Sequence, residues 1–513
     1  MRMAAWMVVA AAAGVVLTAA RAVEIHSNGA GGGLWSDPGS WHGRVLPGAP
    51  DVVTIAGDDD IIVDLVDTNR ISCQELNLDP RGVLSFQKGG ARTVLIVNGP
   101  IESYGAIRMD MSRREDGSAE LRLVSTNAPG REIRLRRGGS ILANGRRDLP
   151  DGERNAWLVV APPGAGGAGV LQVNDNTALD LNGAGVRNLQ ITAYAIDNTG
   201  TSPVERFNVA GCRFTGQSAI LLSFCDSAVI AENEFIDGAG YAVRFENSTM
   251  GEVRGNTVRG NYSAALTMAA HNEGTMVDNT VEAFAGTALY YAGGNAMLKN
   301  NTVRNSPTAF FLGGYGLAEN CVASNCPNTV TVSAGSSFQL TGLRSLNPPS
   351  NAVPVLLDNG DATLLNCAVT TNQIKCLNQP HTNWWVQTQQ YLVVKVNGSV
   401  PANSRVSVRT AVPTKPLPPG ATDFNVRNSP APIVEGGWTP LPQSLAALIV
   451  NSWSLGADGK YQPPPAYVLQ VLGPAPAAGQ PPPVLKEMTV TPTEAWYRSE
   501  PNERKATVEV SVP

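Results

Sequence analysis

Five residues are spaced so that they could act on one ligand. Arg244 and Glu246 are two positions apart, His271 and Glu273 repeat that spacing, and Tyr290 follows. Residues two apart on a strand project from the same face. An arginine can neutralise a substrate carboxylate, and a histidine or tyrosine can take up or deliver a proton. Arg244, His271 and Tyr290 are thus a candidate catalytic set, with Glu246, Glu273 and Phe311 as candidate substrate contacts. A plainer account is also open: Arg244 pairs with Glu246, and His271 is an ordinary turn residue. Surface ion pairs are common and carry no chemistry by themselves.

A repeat decides whether these residues can meet. Between Asn188 and Val369 a short phrase returns as Asn233-Glu234-Phe235, Asn256-Thr257-Val258, Asn279-Thr280-Val281, Asn301-Thr302-Val303 and Asn320-Cys321-Val322. It weakens to Gly342-Leu343-Arg344 and returns as Asn366-Cys367-Ala368, with steps of 23, 23, 22, 19, 22 and 24 residues. Backwards, the same frame puts Cys212 and Leu189 in the Asn slot. Such a period marks a solenoid, whose single repeats cannot bury their own apolar faces. Short β-branched runs between Gly and Asn, without helical periodicity, make it a β-solenoid.

Within a coil, Val258 is expected inward, Thr257 and Arg259 outward, and Asn256 stacked on its counterparts in the coils above and below. A second strand recurs as Ala242-Val243-Arg244-Phe245 and Ala288-Leu289-Tyr290-Tyr291. With its second and fourth members in the core, one outward row reads Leu221, Arg244, Thr267, Tyr290, Phe311, Thr331 and Pro354. The next reads Ser223, Glu246, Ala269, Ala292, Gly313 and Ser333. In this register the five candidates fall within two or three rungs, about 5 to 10 Å, on one side. Arg259, Glu282 and Arg304 alternate in sign on adjacent rungs and need no function to explain them.

Composition agrees with a β-rich chain: 513 residues, 16% charged, with 52 Gly and 36 Pro. A net charge of -5 argues against a general nucleic-acid binder, which needs a basic surface. Arg2, the apolar run Ala4 to Leu17 and Ala20-Arg21-Ala22 predict a signal peptide over 1–22 and export, to the periplasm or beyond the cell. No later apolar run is long enough to span a bilayer, and a monomer is expected. Of seven cysteines, Cys321 with Cys326 and Cys367 with Cys376 are close enough for small disulfide loops. Cys212 and Cys225 are expected as buried thiols. Neither metal nor cofactor is implied by any Cys/His cluster.

Ahead of the repeats stand Gly33-Leu34-Trp35-Ser36-Asp37-Pro38-Gly39-Ser40-Trp41 and Leu46-Pro47-Gly48-Ala49-Pro50-Asp51-Val52-Val53-Thr54-Ile55. This Trp-turn-Trp followed by a Pro-Gly-x-x-Asp corner resembles the G8 domain, which implies a cap on a right-handed parallel β-helix of a secreted or surface protein. Trp35 and Trp41 would plug the open end of the solenoid. Asp58-Asp59-Asp60 reads as a solvated turn. The basic run Arg131, Arg134, Arg136, Arg137, Arg146 and Arg147 reads as a solvated strand face or as a contact for an acidic glycan.

Past Pro380, Trp384-Trp385 would seal the far end of the solenoid. Alternating strands around Asn397-Gly398 and a closing Ala506 to Val512 predict an Ig-like β-sandwich. The expected organisation is signal 1–22, G8-like cap and first coils 23–150, parallel β-helix 151–378, and sandwich with Pro-rich linkers 379–513.

The Asn-x-Val/Phe repeats resemble right-handed parallel β-helix proteins of the pectate-lyase-like kind, among them polysaccharide lyases, polygalacturonase-like hydrolases and esterases. That resemblance implies an extended, acidic polysaccharide as partner, bound and cleaved by β-elimination, with Arg244 on a uronate carboxylate and His271 or Tyr290 moving the proton. Several signatures of the group are missing. No cluster of Asp for Ca²⁺ sits on the outward rows, and Asn-Thr is followed by Val rather than Asp in each repeat that has it. The one His-Gly, His42-Gly43, lies near the cap. Fold does not dictate activity. The alternative is a non-catalytic surface or envelope scaffold, with the solenoid as spacer or adhesive rod.

Overall fold

Short runs that alternate an aliphatic side chain inward with a polar one outward can bury their apolar half only against copies of themselves. They do so here from Glu24 onward. The computed structural model describes residues 22–513 apart from 65–70, 90–91, 126–128, 151–152, 162–166, 175, 197–205, 283–284, 368, 370–372, 378–385, 411–430, 435–436, 438, 440–447, 456–460, 463–465 and 493–504. The signal segment and the pair Trp384-Trp385 therefore lie outside the described residues.

Each full coil contributes a strand to each of three faces. One coil runs Ala219–Ser223, Val229–Ala231 and Glu234–Ile236; the next runs Gly240–Glu246, Gly251–Arg254 and Thr257–Arg259. Every strand pairs in parallel with its counterpart one coil away. The third face is a twelve-stranded parallel sheet. The first two faces merge where Tyr262–Val277, Thr287–Lys299 and Thr308–Glu319 run through the corner without a break. One apolar core extends from Ile25 to Val386. Among the described residues no helix is long and apolar enough to cross a membrane.

At the N-terminal end Trp35 and Trp41 are buried edge to face, with centroids 5.1 Å apart, and the Trp41 indole donates to Trp35 O at 3.0 Å. Asp59 is not solvated: it is buried and accepts the N–H groups of Gly29 and Gly31, each at 2.8 Å. Gly29 and Gly31 lie in the exposed turn after Glu24–His26, and the buried carboxylate supplies an acceptor for their N–H groups.

The Asn ladder forms as the repeat predicts. Asn233, Asn256, Asn279 and Asn301 are fully buried, and each Nδ2 donates to the next Oδ1 at 3.0 Å as far as Asn301. The same Oδ1 atoms accept the backbone N–H of the preceding Asn. Cys212 and Cys321 close the two ends: Cys212 N donates to Asn233 Oδ1 at 2.9 Å, and Asn301 Nδ2 points at Cys321 Sγ at 3.9 Å. Expected register positions move at both ends of the ladder. Val303 pairs with Ala323, so the Asn slot falls on Cys321 and not Asn320. Asn320 instead turns the chain just before it, at φ 52. Upstream, Val186 pairs with Phe214, which places Ala184 and not Leu189 opposite Cys212. Coil lengths vary because turns take insertions that strands cannot.

None of the seven cysteines is in a disulfide, and all but the half-buried Cys376 are buried. The small loops Cys321–Cys326 and Cys367–Cys376 thus do not close, because their thiols fill core positions. Burial pushes the Cys212 thiol up to about 12 and the Cys321 thiol to about 11. Burial raises the half-buried Cys376 thiol to about 11 as well, so access and not thiolate content sets it apart: a thiol-directed dye at neutral pH should label the native chain slowly at Cys376 and the other six cysteines only after denaturation. Fast native labelling of several sites, or an intact mass two hydrogens short per bridge, would contradict the free-thiol core.

Val386–Asn397 joins the two parts of the fold. Its start, Val386 to Gln389, continues the second face in parallel from Ala362–Leu365; Val386 to Leu392 also pairs antiparallel with Leu448–Leu455, and Tyr391 to Asn397 pairs in parallel with Lys505–Ser511. A second sheet of Arg405–Thr410, Ala431–Pro432, Tyr467–Leu472 and Val484–Val490 faces it across a separate core that includes Leu392, Val394, Val408 and Leu469. This is the expected small sandwich. Asn397-Gly398 does not close a two-residue hairpin; the strands on either side lie in opposite sheets. The pairing partners come from much later in the chain, and local turn chemistry gives no sign of them.

Candidate functional site

The inward positions of the first face match the expected alternation: Val243, Phe245, Leu289 and Tyr291 are all fully buried. Outward, Leu221, Arg244, Thr267, Tyr290, Phe311 and Thr331 follow one another rung by rung. The row then continues to Leu356 and not Pro354. The loop around Pro348 and Pro349 lengthens that coil by two residues beyond the assumed step.

Arg244 and Glu246 form an ion pair along their own strand, and the Arg244 guanidinium lies 4.5 Å from the centre of the Tyr241 ring. Two rungs on, Tyr290 stacks on Phe311 with centroids 4.8 Å apart and planes 5° from parallel. His271 falls where the strand shifts register opposite Gly293; its side chain lies outside the described residues. Glu273 is past this shift, on the second face, paired in register with Asn295. The candidates thus divide. Arg244, Glu246, Tyr290 and Phe311 stay on the first face, while Glu273 belongs to a hollow around the corner.

That hollow is a cavity of about 450 Å³ lined by three successive coils, from Met250 to Glu252, Glu273 to Thr275 and Asn295 to Met297. Beside it lies a stripe that the periodicity did not disclose. Tyr194, Phe224, Met250, Met297 and Tyr315 are between 44% and 58% exposed and follow the corner over five coil steps. At one rung each, the stripe is about 24 Å long. Tyr194 and Phe224 meet edge to face at 5.5 Å.

Backbone geometry turns two of these side chains out. Phe224 and Met250 adopt φ of 56 and 50. Gly, Asn and Asp occupy this left-handed region readily, whereas a bulky apolar side chain there is strained. Such an outlier at an exposed position points to use of the side chain rather than to packing. A usable signal was present in the sequence: Phe224 stands where the next coils have Asn247 and Ala270, and all three take this conformation.

The charges around the cavity are one-sided. Glu252 and Glu273 line it, and no Lys or Arg does. Two cations on the same strands are engaged, Arg254 with Glu252 at 3.0 Å and Lys299 with Glu319 at 3.2 Å. Below the corner the Tyr291 hydroxyl donates to Asn295 O at 3.1 Å; burial, with Glu273 adding to it, pushes its phenol up to about 12. Tyr291 thus acts as a fixed donor supporting the corner.

Elsewhere the basic run is largely answered by the chain's own carboxylates. Arg134 pairs with Glu132 and Glu102, Arg136 with Glu102, Arg146 with Asp148, and Arg147 with Glu232. The Arg136 guanidinium, foremost, holds the Glu102 carboxyl below its usual value. Arg131 is buried and donates to Gly167 O. On the third face Arg259 and Glu282 approach to 3.7 Å, and Glu282 is in register with Arg304, as in a structural charge ladder.

A family model described as "right handed beta helix region" matches residues 168–306. Among solved structures, a double mutant of the tailspike protein of E. coli bacteriophage HK620 is similar at 11% identity. That match covers 82% of this chain and 86% of that one with a TM-score of 0.23, a likeness that bears on neither fold nor ligand. No curated protein matches the chain. The strand stacking and the matched region together make this chain a right-handed parallel β-helix carrying a small C-terminal β-sandwich.

Proposed function

We propose that the protein is exported and binds an extended polysaccharide along the corner between its first and second faces. A sugar polymer presents alternating CH faces and hydroxyl edges, which suit aromatic platforms interspersed with amides and carboxylates. The observation that carries this reading is the exposed stripe from Tyr194 to Tyr315 beside a cavity that carries Glu252, Glu273 and Asn295. Residues 23–150 fit the role of a G8-like cap, their buried Trp35–Trp41 pair closing the end of the rod. The signal segment supports a place outside the cytoplasm, in the periplasm or beyond the cell.

Binding without cleavage fits the charges better than β-elimination does. In the lyase reading Arg244 meets a uronate carboxylate while His271 or Tyr290 moves a proton, but Glu246 already engages that arginine. The test is affinity electrophoresis of the full chain against neutral and acidic polysaccharides, with ultraviolet absorbance followed for unsaturated products. Retardation by at least one polymer without absorbance growth is expected. Uniform migration in every gel would sink the proposal, and growing absorbance would restore the lyase.

A further inference from the structure

Granted that glycan-binding corner, we infer that its ligand is an uncharged polysaccharide and that Glu273 excludes polyanions. The charged groups lining the cavity are Glu252 and Glu273. Arg254 balances Glu252 at 3.0 Å, whereas Glu273 is exposed and has no ion-pair partner among the described residues. Its carboxylate stands between the aromatic pair Tyr194–Phe224 upstream and Tyr315 downstream, two coils beyond it. A polymer lying on both platforms must pass over it. A hydroxyl there donates a charge-assisted hydrogen bond, and the exposed amide of Asn295 beside it offers both donor and acceptor. A uronate or sulfate at the same place meets like charge at a few ångströms, and among the described residues no Lys or Arg lines the cavity to offset it, a penalty of about tenfold or more in affinity.

The expectation reverses the acidic partner implied by the resemblance to pectate-lyase-like proteins. Of the basic residues offered as contacts for such a partner, those for which the structure gives carboxylate partners, Arg134, Arg136, Arg146, Arg147 and Arg244, are not at this cavity.

The experiment titrates the full chain with oligosaccharides of neutral glucan, galactomannan and xylan, and with oligogalacturonate and oligomannuronate. Measurements are repeated on Glu273→Gln, Glu273→Lys and Tyr315→Ala, with thermal unfolding to confirm that each variant is folded. The inference expects binders only among the uncharged series. It also expects Glu273→Lys to bring uronates to measurable affinity, a gain of about tenfold or more, and Glu273→Gln to fall between. Uronate binding by the wild-type chain that is as tight as neutral binding, and lost in Tyr315→Ala, would overturn the inference while leaving a glycan-binding corner. Uronate affinity unchanged by Glu273→Lys would overturn it equally. If no oligosaccharide of either series binds, the corner is not a glycan site, and both proposals fall together.

Discussion

Asn279→Ala is expected to lower stability by about 4 kcal/mol, because it removes a fully buried amide that serves two coils at once. Its Nδ2 donates to Val253 O at 2.8 Å and to Asn301 Oδ1 at 3.0 Å. Its Oδ1 accepts both the backbone N–H and the side-chain amide of Asn256, each at 3.0 Å. Alanine leaves all of these without this partner in a place water does not reach, and each buried unsatisfied group costs about 1 to 3 kcal/mol. Against a total stability of about 5 to 15 kcal/mol, that is enough to unravel the central coils. Guanidinium unfolding followed by circular dichroism gives the magnitude. Hydrogen exchange should locate the loss between Asn256 and Asn301 rather than in the sandwich, which has its own core. A change below about 1 kcal/mol would mean that the ladder accompanies the fold without supporting it.

Phe224→Gly should separate function from stability. Phenylalanine at φ 56 is strained, and glycine adopts that region freely. Relief of that strain, about 1 kcal/mol, offsets the lost edge-to-face contact with Tyr194, worth about as much. The variant should therefore unfold within about 1 kcal/mol of the wild type. Glycan binding should fall about tenfold or more, since one platform of the stripe is gone. Combined with Tyr315→Ala at the other end of the stripe, the loss should approach a hundredfold, if sites this far apart add. Calorimetric titration and thermal unfolding on the same samples decide it. Unchanged affinity would mean that the exposed ring serves no ligand. A stability loss of the size seen for core residues would mean that Phe224 is part of the packing after all.

The strained corner residues also explain how the candidate site escaped a reading by period. Inward Val, Leu and Phe recur because every coil must fill the same interior, and Asn233 to Asn301 recur because each buried amide completes its neighbour. Those positions obey one constraint repeated many times. Tyr194, Phe224, Met250, Met297 and Tyr315 each occur once: Phe224 and Met250 at left-handed bends where Asn would serve the backbone better, the others at outward strand positions that no repeated constraint fixes. Arg244 and Tyr290 were visible because they sit inside the repeating strand, and they occupy the outward row expected of them. Glu273 was grouped with them, and a register shift beyond Ala269 carries it around the corner instead.

The chain alone determines that it coils, which face of each strand is inward and where a stacked amide belongs, since these follow from a period and from the need to bury apolar surface and satisfy buried amides. Tertiary structure decides what a period cannot hold. Turn insertions move Cys321 into the slot assigned to Asn320 and Leu356 into that of Pro354, and the sandwich pairs strands more than a hundred residues apart. Only the folded coil places Glu273, Phe224 and Tyr315 along one edge, because neighbours across a corner are set by coil length and bend geometry, to which many turn sequences are equally suited.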